Sequence, residues 1–541
     1  MSTPGVLFVY MRPKPTLNPD VFHDWYNNEH GPNRLRLPHM FRSGLRFRAV
    51  DNLDPGFLAV YDVPDMVDLT TYEYTSLREN RTAREAATIG QVDVDRRFYD
   101  EVVSRQSPEF RPYKERDDDA ARGTVLVIRH TRLKEGEQCE GEYRRWFEQE
   151  HLDMISKIPG WRRSRWFRPS DIDDSGDGTY LALHEYEAEN GLGGPEHQAA
   201  TGTKWRAEVM HNTVESATRR LFKLFYVFTE CPRDLASASK MSKDTPGFAS
   251  ADGMTKTYYG PEAKICSYAT MKDGLVIPYR LEGSPAPNAP VVAFCNSLLT
   301  GLEMWDGFVS MLMTECPSLQ ILRYDFRGRH KVPQPPQPST PDILADDLNS
   351  LLDALRIPYL HALVGVSLGG VTTVNFALKY PHRLTKFIAC DFNVVSSPAN
   401  TQAWKDRIAM AEEDGGQGIK KLASVTVGRW FHPTTMQSKA TVEWMDDMVA
   451  ANDVEGFKYG CQALWDYDLR PFLPSCQVPG ILVVGEGDGK GALVKAMEGF
   501  KGLVGPDGME LRVVPETGHL PMAEDAGAFL KTVKDFLLEG A

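Results

Sequence analysis

Apolar positions recur along the first half of the chain in short strand-like runs separated by amphipathic stretches, and the same pattern appears twice. Val6 to Tyr10 and Val125 to Arg129 open the two copies. A helix-like segment follows each. Asp24-Trp25-Tyr26-Asn27-Asn28-Glu29-His30 aligns with Arg145-Trp146-Phe147-Glu148-Gln149-Glu150-His151 at an offset of about 121 residues, and Leu37-Pro38 aligns with Ile158-Pro159. Further runs, Phe57 to Tyr61 against Tyr180 to His184, then a helix and a last apolar run (Leu221 to Phe228 in the second copy), predict the order β, α, β, β, α, β in each. From Cys231 to about Lys264 no apolar period persists and Ser, Ala, Asp, Gly and Lys dominate, which predicts a linker at 231–264. Beyond it, the apolar runs Val291 to Phe294, His361 to Val366, Phe387 to Cys390, Gly480 to Gly485 and Leu511 to Pro515 alternate with helical patterns, as in a parallel α/β sheet. The expected division is 1–114, 122–230, the linker, and 265–541 with a helical lid over 393–469.

A β-α-β-β-α-β order describes a ferredoxin-like α+β unit, whose helices cover one sheet face and leave the other needing a partner. Two copies can satisfy each other within one chain. The Trp-x-x-x-x-His spacing, Trp25 to His30 and Trp146 to His151, resembles the EthD-like members of the dimeric α+β-barrel superfamily. That resemblance implies two sheets packed face to face around a small cavity, with His30 and His151 as candidate cavity groups; superfamily relatives use such a histidine as general acid or base. The competing reading is that each histidine satisfies the end of its helix. Trp25 and Trp146 are read as core residues.

In the second half, Gly365-Val366-Ser367-Leu368-Gly369 sits between a buried strand and a helix that continues through Val371, Val374, Phe376 and Ala377 and stops before Pro381. A strand-to-helix turn this sharp projects the serine hydroxyl from the sheet, and small neighbours avoid clashes. The hydroxyl needs a base within hydrogen-bond reach. Asp488, just past the strand Gly480 to Gly485, and His519, just past Leu511 to Pro515, both fall at strand ends, where parallel sheets place their sites. The order Ser, acid, His resembles the α/β-hydrolases. Asp488 is the expected acid, with Glu486 its neighbour and Asp391 a topological substitute; backbone N–H groups of Leu298 and Leu368 are the expected oxyanion donors.

Further segments resemble the 3-oxoadipate enol-lactonases: Asn296-Ser297-Leu298 with Met304-Trp305-Asp306, Leu322 to Gly328, Gly428-Arg429-Trp430-Phe431-His432-Pro433, Tyr459 to Leu464 and Asp468-Leu469-Arg470. Two stretches depart from that family, Arg329-His330-Lys331-Val332 and Leu299, where glycine is common. The resemblance implies a serine hydrolase that opens a lactone through an acyl-enzyme with no metal or organic cofactor. It implies a substrate pocket drawing on Asn296, Trp305, Arg429 and Trp430, with Arg429 either pairing a substrate carboxylate or bracing the lid. Coupling to isomerisation or substrate binding by the N-terminal barrel is expected by analogy of fold. Two rival readings remain: hydrolysis of a carbon–carbon bond in a β-diketone or ring-cleavage product by the same triad, and a non-catalytic ligand-binding protein.

At 541 residues the chain exceeds the roughly 250 to 300 that one core supports, so two or three domains are expected. A net charge of −13 disfavours nucleic acid and anionic membrane and points to a small-molecule partner, leaving homo-oligomerisation open. Eight scattered cysteines without a CxxC pair suggest a reducing compartment rather than a disulfide framework or zinc site. With no signal-like start and no long apolar span, a cytoplasmic protein is expected.

Overall fold

The structure, a computed structural model, describes residues 2–172 and 177–540. The chain divides into two compact units, Met1–Pro232 and Arg233–Ala541.

Eight antiparallel strands of the first unit close into a barrel: β1 (Gly5–Pro13), β2 (Ser43–Ala49), β3 (Phe57–Val63), β4 (Val92–Gln106), β5 (Val125–Leu133), β6 (Trp161–Pro169), β7 (Tyr180–Tyr186) and β8 (Val214–Val227). Their order around the barrel is β1-β3-β2-β8-β5-β7-β6-β4. Each half thus contributes four neighbouring strands, and the halves meet at two seams, β2 with β8 and β4 with β6. Closure leaves no unpaired edge for another chain to extend. Period-2 alternation decides what fills it. Along β1, Val6, Phe8 and Tyr10 point inward and join Phe47, Val60, Ile128, Leu183 and Phe222 in one apolar interior. Leu7, Val9 and Met11 point outward, beneath Phe22, Trp25 and Tyr26. In the second half Val125 and Val127 do the same beneath Trp146 and Phe147. The two halves therefore join edge to edge around a filled interior, rather than lying face to face about a cavity: large side chains from all eight strands occupy the space.

In both halves the first helix changes to a π-helical turn at the shared motif, Tyr26–His30 and Phe147–His151. The matching tryptophans are core residues, with Trp25 1% and Trp146 2% exposed.

The stretch 231–264 is not an unstructured linker. It holds a helix, Leu235–Lys240, and two short strands, β9 (Phe248–Ala249) and β10 (Lys256–Tyr258), that extend the sheet of the second unit. Leu235, Ala238 and Phe248 are buried, but small residues and very short strands hide the apolar period.

The second unit is built on a ten-stranded sheet that continues with β11 (Lys264–Thr270), β12 (Val276–Gly283), β13 (Val291–Cys295), β14 (Gln320–Tyr324), β15 (Leu360–Val366), β16 (Leu384–Cys390), β17 (Gly480–Gly485) and β18 (Glu510–Val514), in the order β18-β17-β16-β15-β13-β14-β12-β11-β10-β9. From β14 to β18 neighbouring strands run parallel. Every residue of β15 is buried, as expected of a central strand covered on both faces. Between β16 and β17 the chain forms a helical insert, Pro398–Gly416, Gly418–Trp430, Lys439–Ala450 and Val454–Cys461. Leu422, Val427, Met445 and Phe457 of the insert belong to the same apolar core as Val364 and Val366. Among the described residues no helix is long and apolar enough to cross a membrane.

Candidate active site

Ser367 stands where β15 turns into the helix Leu368–Lys379, with φ 59° and ψ −117°, a left-handed conformation that is strained for any residue with a Cβ. The surroundings enforce it. A Cβ on Gly365 would collide with the Gly369 carbonyl, and one on Gly369 with the Cys295 carbonyl, so only glycine lets helix and strands approach this closely. The Ser367 N–H donates to the Cys390 carbonyl at 2.9 Å, fixing the turn to the end of β16. Its hydroxyl is half-buried and has no hydrogen-bond partner among the described residues.

Asp488 follows β17 and His519 follows β18, so both lie at the same carboxyl edge as Ser367. His519 Nδ1 is 2.7 Å from Asp488 Oδ2. A carboxylate only accepts, so Nδ1 carries the proton and Nε2 keeps its lone pair. Asp391, at the end of β16 with φ 47°, lies behind this pair; its Oδ1 accepts from the Gly485 N–H at 2.9 Å. Ligand-type atoms of Asp391, Asp488 and His519 lie within 4.8 Å of one another. Burial, and next the Asp488 carboxylate, push the Asp391 carboxyl well above the usual range. Burial thus favours the protonated form of Asp391, and the carboxylate bonded to the histidine is that of Asp488.

Three backbone tethers hold the histidine loop. The His519 N–H donates to the Trp430 carbonyl at 2.7 Å, and the two rings stack at 5.7 Å. Glu524 accepts from the Gly518 and Leu520 N–H groups on one side, at 2.9 and 3.2 Å. On the other it accepts from the His432 N–H at 2.7 Å and Thr435 Oγ1 at 2.9 Å, in the turn after the insert helix Gly418–Trp430. A Cβ on Gly518 would run into the Trp430 carbonyl. Reasoning from sequence passed over Glu524; its only trace there is a carboxylate in an otherwise apolar run, Leu520 to Ala523.

Leu368 is the first residue of its helix, so its N–H has no intrahelical acceptor. Leu298 lies past β13, and Leu299 adopts φ 72°, in the left-handed region that favours glycine. The Leu299 carbonyl is held by Asn452 Nδ2 at 2.8 Å and Arg329 Nη1 at 3.2 Å. Asn296 and Trp305, expected in the substrate pocket, instead brace each other: Trp305 Nε1 donates to Asn296 Oδ1 at 3.0 Å, and Asn296 Nδ2 donates to the Tyr324 carbonyl at 2.9 Å. At 1% and 0% exposure, neither offers surface to a substrate. Arg429 is exposed on its helix, whereas Trp430 is buried against His519.

His30 and His151 lie in the barrel unit's outer layer, not in its interior. His30 Nδ1 is 2.7 Å from Glu85 Oε1, and its ring packs on Trp25 and Tyr26. His151 stacks on Trp146 at 4.6 Å, and its buried Nδ1 has no hydrogen-bond partner among the described residues. Burial holds both imidazoles well below the ordinary histidine range.

Residues 290–429 match the family described as the alpha/beta hydrolase fold. The chain is similar to 3-oxoadipate enol-lactonase 2 of Acinetobacter baylyi, 31% identical over 200 residues that cover 37% of this chain and 72% of the relative. The chain belongs to the α/β-hydrolase family. Its hydrolase unit is also similar to a 2-hydroxy-6-oxononadienedioate/2-hydroxy-6-oxononatrienedioate hydrolase of Klebsiella pneumoniae, 27% identical over 206 residues covering 37% of this chain and 69% of the relative. A solved enol-lactonase structure from Burkholderia xenovorans LB400 is 30% identical, covering 50% of this chain and 99% of that one, with a TM-score of 0.44. The family match in the hydrolase unit takes in Leu298 and Ser367 and ends before Asp488 and His519, whose pairing rests on geometry.

Proposed function

We propose that the hydrolase unit opens a lactone of the enol-lactone kind by acyl transfer to Ser367. The observation that carries this is the His519–Asp488 bond at the sheet edge where the strained serine turn also ends. Ser367 Oγ attacks the lactone carbonyl while His519 Nε2 takes its proton. The Leu298 and Leu368 N–H groups receive the developing oxyanion. The ring C–O bond breaks, the departing enol oxygen recovers the proton from His519, and the enol relaxes to a ketone. Water then gives a proton to His519 and attacks the acyl group, and Ser367 regains its hydroxyl hydrogen as the acid leaves. In this reading the helical insert is a lid, Trp430 backs the base, and Arg429 at the rim meets a substrate carboxylate. The barrel unit is read as two ferredoxin-like, EthD-like copies that bind or isomerise the same class of lactone.

The test is capture of a fluorophosphonate on Ser367, followed by a lactone panel. Labelling and turnover absent from Ser367→Ala support the proposal; a full-length protein that neither labels nor turns over p-nitrophenyl acetate is a binding protein instead. The similarity to a 2-hydroxy-6-oxononadienedioate hydrolase favours one second reading, cleavage of a carbon–carbon bond by the same groups. Products separate the two, since a lactone yields one oxo acid and a diketone yields two fragments.

A further inference from the structure

The turn that follows β13 leaves one backbone donor without an acceptor, and its own geometry explains why. The Thr300 N–H donates to the Ser297 carbonyl at 3.2 Å, closing a β-turn over 297–300 with Leu299, φ 72°, at the position where a type II turn needs a left-handed residue. Thr300 Oγ1 donates to the same carbonyl at 2.8 Å. In a trans peptide the C=O and N–H point in opposite directions, so fixing the Ser297 oxygen inside the turn sends the Leu298 N–H out of it. That N–H has no hydrogen-bond partner among the described residues, although Leu298 is only 8% exposed. The turn stands beside the serine. Cys295 of β13 is paired with Gly365 of β15, and a Cβ on Gly369, in the helix that Ser367 opens, would meet the Cys295 and Asn296 carbonyls.

The peptide between Leu299 and Thr300 is held from outside the turn. Its N–H is the donor to Ser297, and its C=O accepts from Asn452 Nδ2 at 2.8 Å and from Arg329 Nη1 at 3.2 Å. Asn452 lies just past the insert helix Lys439–Ala450 and is itself fixed. Its Nδ2 also reaches the Val449 carbonyl at 2.9 Å and the Met448 carbonyl at 3.2 Å, and its Oδ1 accepts from Arg329 Nη1 at 2.9 Å. Donors and acceptors thus form one chain: Asn452 and Arg329 to the Leu299 carbonyl, the Thr300 N–H to the Ser297 carbonyl, and the Leu298 N–H at the open end. Each bond in such a chain polarises the next, and a guanidinium at its head strengthens the effect. The same grip keeps Leu299 in a conformation disfavoured for a residue with a Cβ.

We propose that Asn452, together with Arg329, is a positioning residue for the reaction at Ser367, aiming and polarising the Leu298 N–H toward the oxyanion through two intervening peptides. The role rests on the acyl-transfer reading above. The insert then supports the reaction at two points, the base through the Trp430 carbonyl and the oxyanion donor through Asn452. A group that acts only on developing charge changes kcat and leaves ground-state binding as it was.

The test is steady-state hydrolysis of p-nitrophenyl acetate by the full-length protein, with inhibition by methyl trifluoromethyl ketone alongside. Ser367 Oγ adds to the ketone carbonyl carbon, its proton passes to His519, and the former carbonyl oxygen takes the negative charge. Asn452→Asp keeps the side chain's size but turns an acceptor toward the Leu299 carbonyl. It should lower kcat about tenfold or more, keep KM within about twofold, and weaken the ketone in proportion to the loss of kcat/KM. Arg329→Met should show the same split to a smaller degree, and it carries the test if circular dichroism shows Asn452→Asp to be misfolded. Unchanged kcat in the folded variants, a rise in KM at constant kcat, or a ketone affinity that holds while kcat/KM falls would overturn the positioning role. Loss of the fold in both variants would overturn it too, making the two residues structural. All of these outcomes leave the Ser367 reading standing, because that reading fails only if the parent protein shows no turnover that Ser367→Ala abolishes, and the positioning role then falls with it.

Discussion

The barrel and the open sheet solve the burial of β-structure in opposite ways, and the difference decides where chemistry is placed. Antiparallel closure gives the barrel no common carboxyl edge, and its interior is packed solid by Phe8, Phe47, Ile128 and Phe222. Its polar constellation, Arg34, His30, Glu85 and Arg96, sits on the outside of the wall beneath the helices. The open sheet aligns β15, β16, β17 and β18 in parallel, so four chain ends emerge side by side and deliver Ser367, Asp391, Asp488 and His519 to one edge. A parallel sheet gathers its polar groups by topology; a closed barrel with an apolar interior leaves them to its helix layer.

Four substitutions probe that contrast. The largest effect is expected at the sheet edge: His519→Ala should lower kcat on p-nitrophenyl acetate by about 10⁴-fold or more with circular dichroism unchanged, as loss of a triad base does. A fall of less than tenfold would remove the edge's claim to the chemistry. Next, Phe8→Ala should cost about 3–5 kcal/mol of barrel stability, read by amide exchange in β1, β3 and β4, because Phe8 is fully buried among Tyr10, Tyr99 and His130. Unchanged exchange would mean the interior is not close-packed. Glu524→Gln replaces an acceptor of four hydrogen bonds by a group with half that capacity. It should lower kcat roughly tenfold with little change in KM, about 1.4 kcal/mol in the barrier, measured by steady-state kinetics. The smallest effect is expected at Asp391→Asn. Since the folded state holds the Asp391 proton more tightly than the unfolded chain does, native stability falls as pH rises above about 4, towards the raised folded value. The variant carries no such proton, so its Tm relative to the parent should climb between pH 4 and pH 8; a constant difference would show that Asp391 is ionised throughout.

Legibility in the sequence followed the range of the interactions. The serine turn could be read because its signals are contiguous: an unbroken apolar strand, glycines at 365, 369 and 370, then a helix ending before Pro381. The strand-end positions of Asp488 and His519 followed from the apolar runs before them. Trp305 was misread for a physical reason. An aromatic residue near a reactive turn looks like a pocket wall, and only the fold brings its indole N–H to Asn296 and turns the ring inward. Glu524, Asn452 and Arg329 act through backbone groups distant in sequence, so no local pattern announces them. The edge strands β9 and β10 were hidden by brevity, and the place of His30 outside the barrel by alternation that only the closed register resolves.

The Trp430 carbonyl that receives the His519 N–H ties the proton acceptor to the last turn of an insert helix. Trp430 also stacks its ring on the imidazole, so among the side chains of that helix it is the one held to the histidine. The backbone from 430 to 432 is held as well, since displacing it would drag the imidazole out of line. Under the proposed reaction, residues along the insert other than Trp430 are therefore open to exchange, whereas lengthening, shortening or re-angling the insert at that hinge would disturb the base.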